Sequence, residues 1–341
     1  MATLYMGVIV MVNKDIGFSL WLDFVERDYL KNEFLGLIEQ GIINGATSNP
    51  SIFASAITTS PAYKEQLASL EGKSAKEKYE ALAVEDIRTA AQALRPSYNE
   101  RNDGYISMEV DPFLANDAQG TTEEGKRLFK VIGEPNVMIK VPATNAGYEA
   151  MTALLTMGIN VNATLIFSPE QAKRSLKAMT KGLDRFEIYG GGRVEAVISV
   201  FVSRFDRLLD ANLEQEGIDI SKTGIYNAAK IYNLIEKNYT PSIRTLFAST
   251  GVKGDTLSPD YYIRELFAPR CINTAPLETI EAYISKKETP AKLPLEDSEI
   301  NGYFTKLSDC GFDMNEIYAS LLKDGLEAFE QAFQEMLESL K

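Results

Sequence analysis

The sequence predicts an α/β protein built as a single (β/α)8 TIM barrel, with extra helices after the second strand and one more at the C-terminus. Eight short β-branched or apolar runs recur along the chain, and helical stretches separate them. Scale agrees, because 341 residues with 45% hydrophobic and 24% charged side chains can bury a large core. Parallel strands joined through helices close into a barrel whose chemistry gathers at the C-terminal strand ends.

Residues 1–15 are expected to form an N-terminal extension, poorly ordered, ahead of a barrel domain over 16–341. Met1 to Val12 are rather apolar, yet they carry no basic n-region or small-residue cleavage site and are too short to span a bilayer. Strands are expected over 19–25, 45–51, 105–111, 136–143, 159–167, 196–204, 245–250 and 271–274. The longest gap, between the second and third strands, holds a charged, Ala-rich stretch from Tyr63 to Leu94 that adds helices outside the wall. Capping boxes are read at Thr121 to Glu124 and at Ser168 to Gln171, where Pro169 suits a first helical position. Beyond Pro290 the chain turns polar, then places Leu322, Leu326, Phe329, Phe333, Met336 and Leu340 on one helical face. Packing against the barrel wall is expected there, with a lid or a subunit contact as the alternative.

Composition excludes several function classes. A formal charge of -13 argues against a general nucleic-acid surface and against an anchor on anionic lipid, so any anion must be held locally. Two cysteines, Cys271 and Cys310, are too few for a disulfide framework or a four-cysteine zinc site. Both are expected to be free, buried thiols in a reducing, cytoplasmic setting. The chain has no histidine, which removes Ser-His-Asp and Cys-His schemes and histidine metal sites. Lysine and carboxylates must carry the catalysis.

Asn136-Val137-Met138-Ile139-Lys140-Val141-Pro142 reads as a buried strand interrupted by one lysine. An amine desolvated among apolar neighbours is held toward its neutral, nucleophilic form and can attack a ketone, giving an iminium that draws electrons. Glu109, on the preceding strand, points into the same mouth and is the candidate general acid/base. Asp111 shares its face and is assigned no catalytic role, since a loop cation can pair with it. Asn160, Asn162 and Thr164 line one face of the fifth strand, where polar groups suit a sugar or a proton relay; Asp23 on the first strand follows the same logic. For phosphate, Ser199, Ser203 and Arg204 at the end of strand six and Ser249, Thr250, Gly251 and Lys253 after strand seven offer hydroxyls, amides and cations.

Together these segments resemble the transaldolase family from Ser19 to about Ala282. The most specific are Thr47-Ser48-Asn49-Pro50-Ser51-Ile52-Phe53, Glu109-Val110-Asp111-Pro112, Ile139-Lys140-Val141-Pro142-Ala143-Thr144 and Asn160-Val161-Asn162-Ala163-Thr164-Leu165-Ile166-Phe167. Val200-Phe201-Val202-Ser203-Arg204, Phe247-Ala248-Ser249-Thr250-Gly251-Val252-Lys253 and Asn273-Thr274 join them. The resemblance implies a barrel that moves dihydroxyacetone from sedoheptulose 7-phosphate to glyceraldehyde 3-phosphate, giving erythrose 4-phosphate and fructose 6-phosphate, with no metal or organic cofactor. It implies Lys140 as Schiff-base nucleophile, Glu109 as acid/base through a water held by Thr164, and Asp23 as the group handling the donor hydroxyl proton. Asn49 and Asn162, with Thr47 and Ser199 nearby, would orient donor hydroxyls. Arg204 and Ser249 would hold phosphate, and Lys253 would stand where some members carry an arginine. Related aldolases that cleave fructose 6-phosphate tend to carry glutamine and tyrosine at the positions of Glu109 and Phe201, so this pair is transferase-like. The rival readings are an aldolase that releases free dihydroxyacetone and a barrel that only binds sugar phosphate. Sugar-phosphate substrates are the expected partners of a monomer or homodimer, without nucleic acid or membrane.

Overall fold

The computed structural model describes residues 16–286 and 290–341. The expectation for 1–15 therefore lies outside the described residues. Eight parallel strands close a barrel in chain order: β1 (Ser19–Asp23), β2 (Gly45–Thr47), β3 (Tyr105–Glu109), β4 (Val137–Pro142), β5 (Asn160–Ile166), β6 (Ala196–Phe201), β7 (Ile243–Ala248) and β8 (Ile272–Ala275). Among the described residues, no helix is long and apolar enough to cross a membrane.

The strand side chains divide by the two-residue period. On β4, Val137, Ile139 and Val141 belong to the layer between strands and helices. Met138 instead joins Trp21, Tyr105, Val197, Leu246 and Ile272 in the inner cluster. This inner layer is tight, because a Cβ on Gly45 would lie 2.5 Å from the Trp21 ring. Only glycine fits beside the indole at that height.

The N-terminal end of the barrel is closed by polar groups around Arg244. Its guanidinium donates to the main-chain oxygens of Gly17 and Cys271, to Ser19 Oγ at 3.0 Å and to Asp103. The second Asp103 oxygen accepts the Trp21 indole N–H at 2.9 Å. The guanidinium of Arg193 lies 3.9 Å from the Tyr98 ring centroid and 5.6 Å from that of Tyr105.

Several expected boundaries move. Pro50 and Ser51 open a helix, Pro50–Thr59, instead of ending β2, since Pro50 supplies a pre-set first turn and Asn49 caps it. Ser203 and Arg204 likewise begin the Ser203–Gln215 helix rather than ending β6. The capping box at Ser168 forms with Gln171. The one expected at Thr121 does not: Asp117 already accepts the Gly120 amide, so the Ala118–Ile132 helix starts earlier and Thr121 falls inside it. Cys271 is buried as expected, but Cys310 caps the Asp297–Asp309 helix and faces solvent.

The insertion after β2 forms the Lys64–Ser69 and Ala75–Asn99 helices. A buried network pins the long helix to the segment following β1: Arg27 Nε donates to Asp86 Oδ1, and Tyr63 Oη donates to Asp86 Oδ2, both at 2.8 Å. The C-terminal helix, Met314–Ser339, runs along the mouth instead of down the wall. Leu321 and Phe329 pack with Leu165, Phe167, Phe201 and Phe205 past the ends of β5 and β6. Phe333 meets Tyr79 and Phe113 on the opposite side. The apolar stripe covers strand ends because the rings displayed there need a cover.

Candidate active site

Two residues above the inner cluster, strand alternation brings the polar side chains inward. Asp23 is in register with Thr47, while Glu109, Lys140 and Asn162 are partnered across β3, β4 and β5. Lys140 is buried; its Nζ donates to the main-chain oxygen of Ser48 at 3.0 Å and stands 3.8 Å from Glu109 Oε2. That carboxylate oxygen is buried with no hydrogen-bond partner. Two charges this close attract by about 4 kcal/mol at an effective dielectric near 20. Desolvation opposes this with several kcal/mol per ion, so the pair is a poor device for stability and a good one for chemistry.

The electrostatics agree. Burial, aided by the Asp23 carboxylate and opposed by Lys140, pushes the Glu109 carboxyl up to about 7. Burial also raises Asp23, against Lys140 and the Thr47 hydrogen bond. Glu109 can therefore give or take a proton near neutrality.

Two hydrogen-bonded chains fix the remaining inward groups. Thr47 donates to Asp23 Oδ1 at 2.6 Å, so the Thr274 hydroxyl, 2.6 Å from Thr47 Oγ1, is the donor in the second bond. Ser199 donates to Asn162 Oδ1 at 2.6 Å, and Asn162 Nδ2 donates to Ser107 Oγ at 3.0 Å. Asn49 caps the Pro50–Thr59 helix, its Oδ1 accepting from the Ile52 amide at 3.0 Å. Thr164 is inward and buried, its hydroxyl without a partner. Just after it β5 shifts register, and Leu165 takes φ 57°, so Leu165 reaches the mouth as well. Simple alternation over 160–167 does not anticipate that.

At the β6–β7 side of the rim, Arg204 is half-buried with its guanidinium 5.3 Å from the Phe201 ring centroid. Among the described residues no carboxylate pairs with it. Burial and the nearby Arg207 push its pKa down, with Asp324 opposing. Ser203 Oγ and Ser249 Oγ are 3.0 Å apart, and Ser249 adopts φ 56°. Thr250 ties this turn to β8 through Asn273 Oδ1 at 2.8 Å and the Thr274 oxygen at 2.9 Å. Lys253 is exposed on the following loop and makes no ion pair among the described residues.

Asp111 turns away from the barrel, its Oδ2 2.5 Å from Lys76 Nζ. A cleft of about 1070 Å3 on the outer surface, lined by Tyr148, Arg174 and Lys177 among others, contains none of these residues. Ser48, Ser107 and Thr274 escaped sequence reasoning as site residues. Ser107 and Thr274 were accessible, being two residues from Glu109 and beside Asn273, whereas Ser48 contributes a main-chain oxygen that any residue type carries.

A family model described as Transaldolase/Fructose-6-phosphate aldolase matches residues 20–340. A transaldolase from Helicobacter pylori (strain Shi470) is 47% identical over 323 residues, covering 94% of this chain and 99% of the relative. A transaldolase from Campylobacter jejuni subsp. jejuni serotype O:23/36 (strain 81-176) is 47% identical over 332 residues, covering 95% and 99%. With the family model matched over nearly the whole chain and relatives of matched length at 47% identity, the chain belongs to the transaldolase/fructose-6-phosphate aldolase family.

Proposed function

We propose that the chain is a cytoplasmic transaldolase, which carries a dihydroxyacetone unit as a Schiff base on Lys140 from sedoheptulose 7-phosphate to glyceraldehyde 3-phosphate. The observation that carries this reading is the buried Lys140 amine facing Glu109, with a ring of hydroxyl and amide groups around it. The amine attacks the donor ketone, and the carbinolamine loses water as Glu109 supplies a proton through a water held by Thr164. Both Glu109 Oε2 and Thr164 Oγ1 are buried without a hydrogen-bond partner, which suits a shared relay.

Asp23 then takes the proton of the donor hydroxyl adjoining the breaking carbon-carbon bond. The bonding pair passes into the iminium, erythrose 4-phosphate leaves, and an enamine stays on Lys140. Addition to glyceraldehyde 3-phosphate reverses these steps and, after hydrolysis, gives fructose 6-phosphate. Asn49, Asn162, Thr47 and Ser199 orient the donor hydroxyls, while Arg204 and Ser249 hold the phosphate. The enamine must survive until the acceptor arrives, so the site must keep out stray protons and water. Phe167 and Phe201, 5.3 Å apart at the rim, suit that task.

Incubation with fructose 6-phosphate and sodium borohydride, then peptide mapping, tests the covalent step, since reduction freezes the iminium. A dihydroxyacetone-sized adduct on Lys140 is expected. Steady release of free dihydroxyacetone without an acceptor would replace the transferase reading with an aldolase.

A further inference from the structure

The C-terminal helix Met314–Ser339 contains a single glycine, Gly325, although glycine weakens a helix interior relative to alanine. The same helix uses Ala319, Ala328 and Ala332 where there is space, so position 325 requires a packing reason. A Cβ there would sit 3.0 Å from Leu165 Cδ2, 3.3 Å from Arg204 Nη1 and 3.4 Å from Phe167 Cε2. The helix backbone thus lies directly against the guanidinium. Its path is fixed from a second side: Tyr318 Oη donates to Asn227 Oδ1 at 2.9 Å, and Asn227 Nδ2 donates to the Phe167 oxygen at 2.8 Å. Tyr318 also stacks edge-on against Phe205, one residue after Arg204. A methyl group at 325 would require its neighbours to give by a few tenths of an ångström, and this chain of hydrogen bonds resists the helix moving away from the end of β5, so Leu165 and Arg204 are the groups that must yield.

We propose that Gly325 is a positioning residue for phosphate recognition: the bare helix backbone leaves room for the Arg204 guanidinium at the rim, 5.3 Å from the Phe201 ring centroid. The proposal rests on Arg204 being the phosphate ligand. A side chain at 325 displaces Nη1 and misaligns the donors from the sugar phosphate, and the amine chemistry at Lys140 is untouched. The C-terminal helix then sets which substrates bind well, by controlling one guanidinium it never replaces.

The test compares Gly325→Ala, Arg204→Gln and the double variant with fructose 6-phosphate and with unphosphorylated fructose as donors. Gly325→Ala should raise KM for fructose 6-phosphate by about tenfold, with kcat and the KM for fructose changed by less than about twofold. The double variant should be no worse than Arg204→Gln, because both changes act through one group. In Gly325→Ala, borohydride trapping with fructose should proceed at the wild-type rate. Unchanged KM values in Gly325→Ala beside a selective loss in Arg204→Gln would overturn the role of Gly325 alone. Equal losses on both donors would make the glycine merely structural and also overturn it. No selective effect in Arg204→Gln would remove the phosphate assignment itself. Should Gly325→Ala fail to fold, the Leu165→Ala background removes the atom that a Cβ meets first, and the same donor comparison is read there.

Discussion

Lys140 and Glu109 occupy partnered positions on adjacent strands, with Nζ of the one 3.8 Å from Oε2 of the other. Removing the amine should end covalent chemistry outright. Lys140→Met is expected to give no adduct after borohydride reduction with fructose 6-phosphate, while the variant still folds and binds the sugar. Mass spectrometry of the reduced protein reads this, and near-normal turnover would take Lys140 out of the mechanism.

Glu109 should set a pH break. Its protonated form donates to the leaving hydroxyl of the carbinolamine, so dehydration should slow as pH rises through about 7. Glu109→Gln should lower the trapping rate by about a hundredfold and flatten that limb. Stability moves in a related way. The folded carboxyl titrates near 7 and the unfolded one near 4.5, so the folded state binds the extra proton between them and loses stability as pH rises through that window. The fall in melting temperature from pH 5 to pH 8 should therefore be smaller in Glu109→Gln. An equal fall in both proteins would contradict the raised pKa.

Asn162 accepts a hydrogen bond from Ser199 and donates one to Ser107 across the barrel interior. Ser199→Ala strands the amide oxygen in a buried place, an effect of about 1–3 kcal/mol on stability. Denaturant unfolding of the variant measures it. A loss in kcat larger than the loss in stability would show that the Asn162 orientation, and not only its burial, matters to turnover.

Asp86 offers a control away from the chemistry. It accepts from Arg27 and Tyr63, and Asp86→Ala leaves a buried guanidinium without its carboxylate, which costs about 3–5 kcal/mol. Lower stability with kcat within about twofold of wild type is expected for the fraction still folded. Asp86→Asn, which keeps a similar shape, should lose less.

Lys253 and Arg204 separate by burial. Lys253→Ala removes a solvated cation that makes no ion pair among the described residues and should change KM for fructose 6-phosphate by less than about twofold, against about tenfold or more for Arg204→Gln. Comparable effects would place Lys253 on the phosphate after all.

The barrel and its strand order were legible because apolar runs and period-two alternation dictate them, and the lysine stood out as the one charge in a run destined for burial. Thr164 followed from the same alternation. Leu165 did not, because a positive φ redirects it and nothing in Ala163-Thr164-Leu165 announces a bulge. Arg204 could be named but not placed on a helix, since Val200 to Ser203 reads equally well as continued strand. The course of the C-terminal helix was hidden for another reason: an apolar stripe states that something is covered and not what, and here the cover goes to strand ends 160 residues upstream in places, as at Leu165 and Gly325. Ser48 was invisible because its contribution is a peptide oxygen.

Among the described residues, the packed inner cluster and the polar groups around Arg244 beneath it fill the barrel below the polar ring and leave the C-terminal mouth as the way in. In the proposed reaction, donor, departing aldehyde and incoming acceptor all use it, and the enamine stays behind while the traffic reverses. The first aldehyde has to clear the entrance before the second can pass, so the two should exclude one another and initial velocities should follow a double-displacement pattern. A saturating acceptor should then crowd the exit of the first product. The queue follows from the packed floor of the barrel, which the sugars it orders never pass.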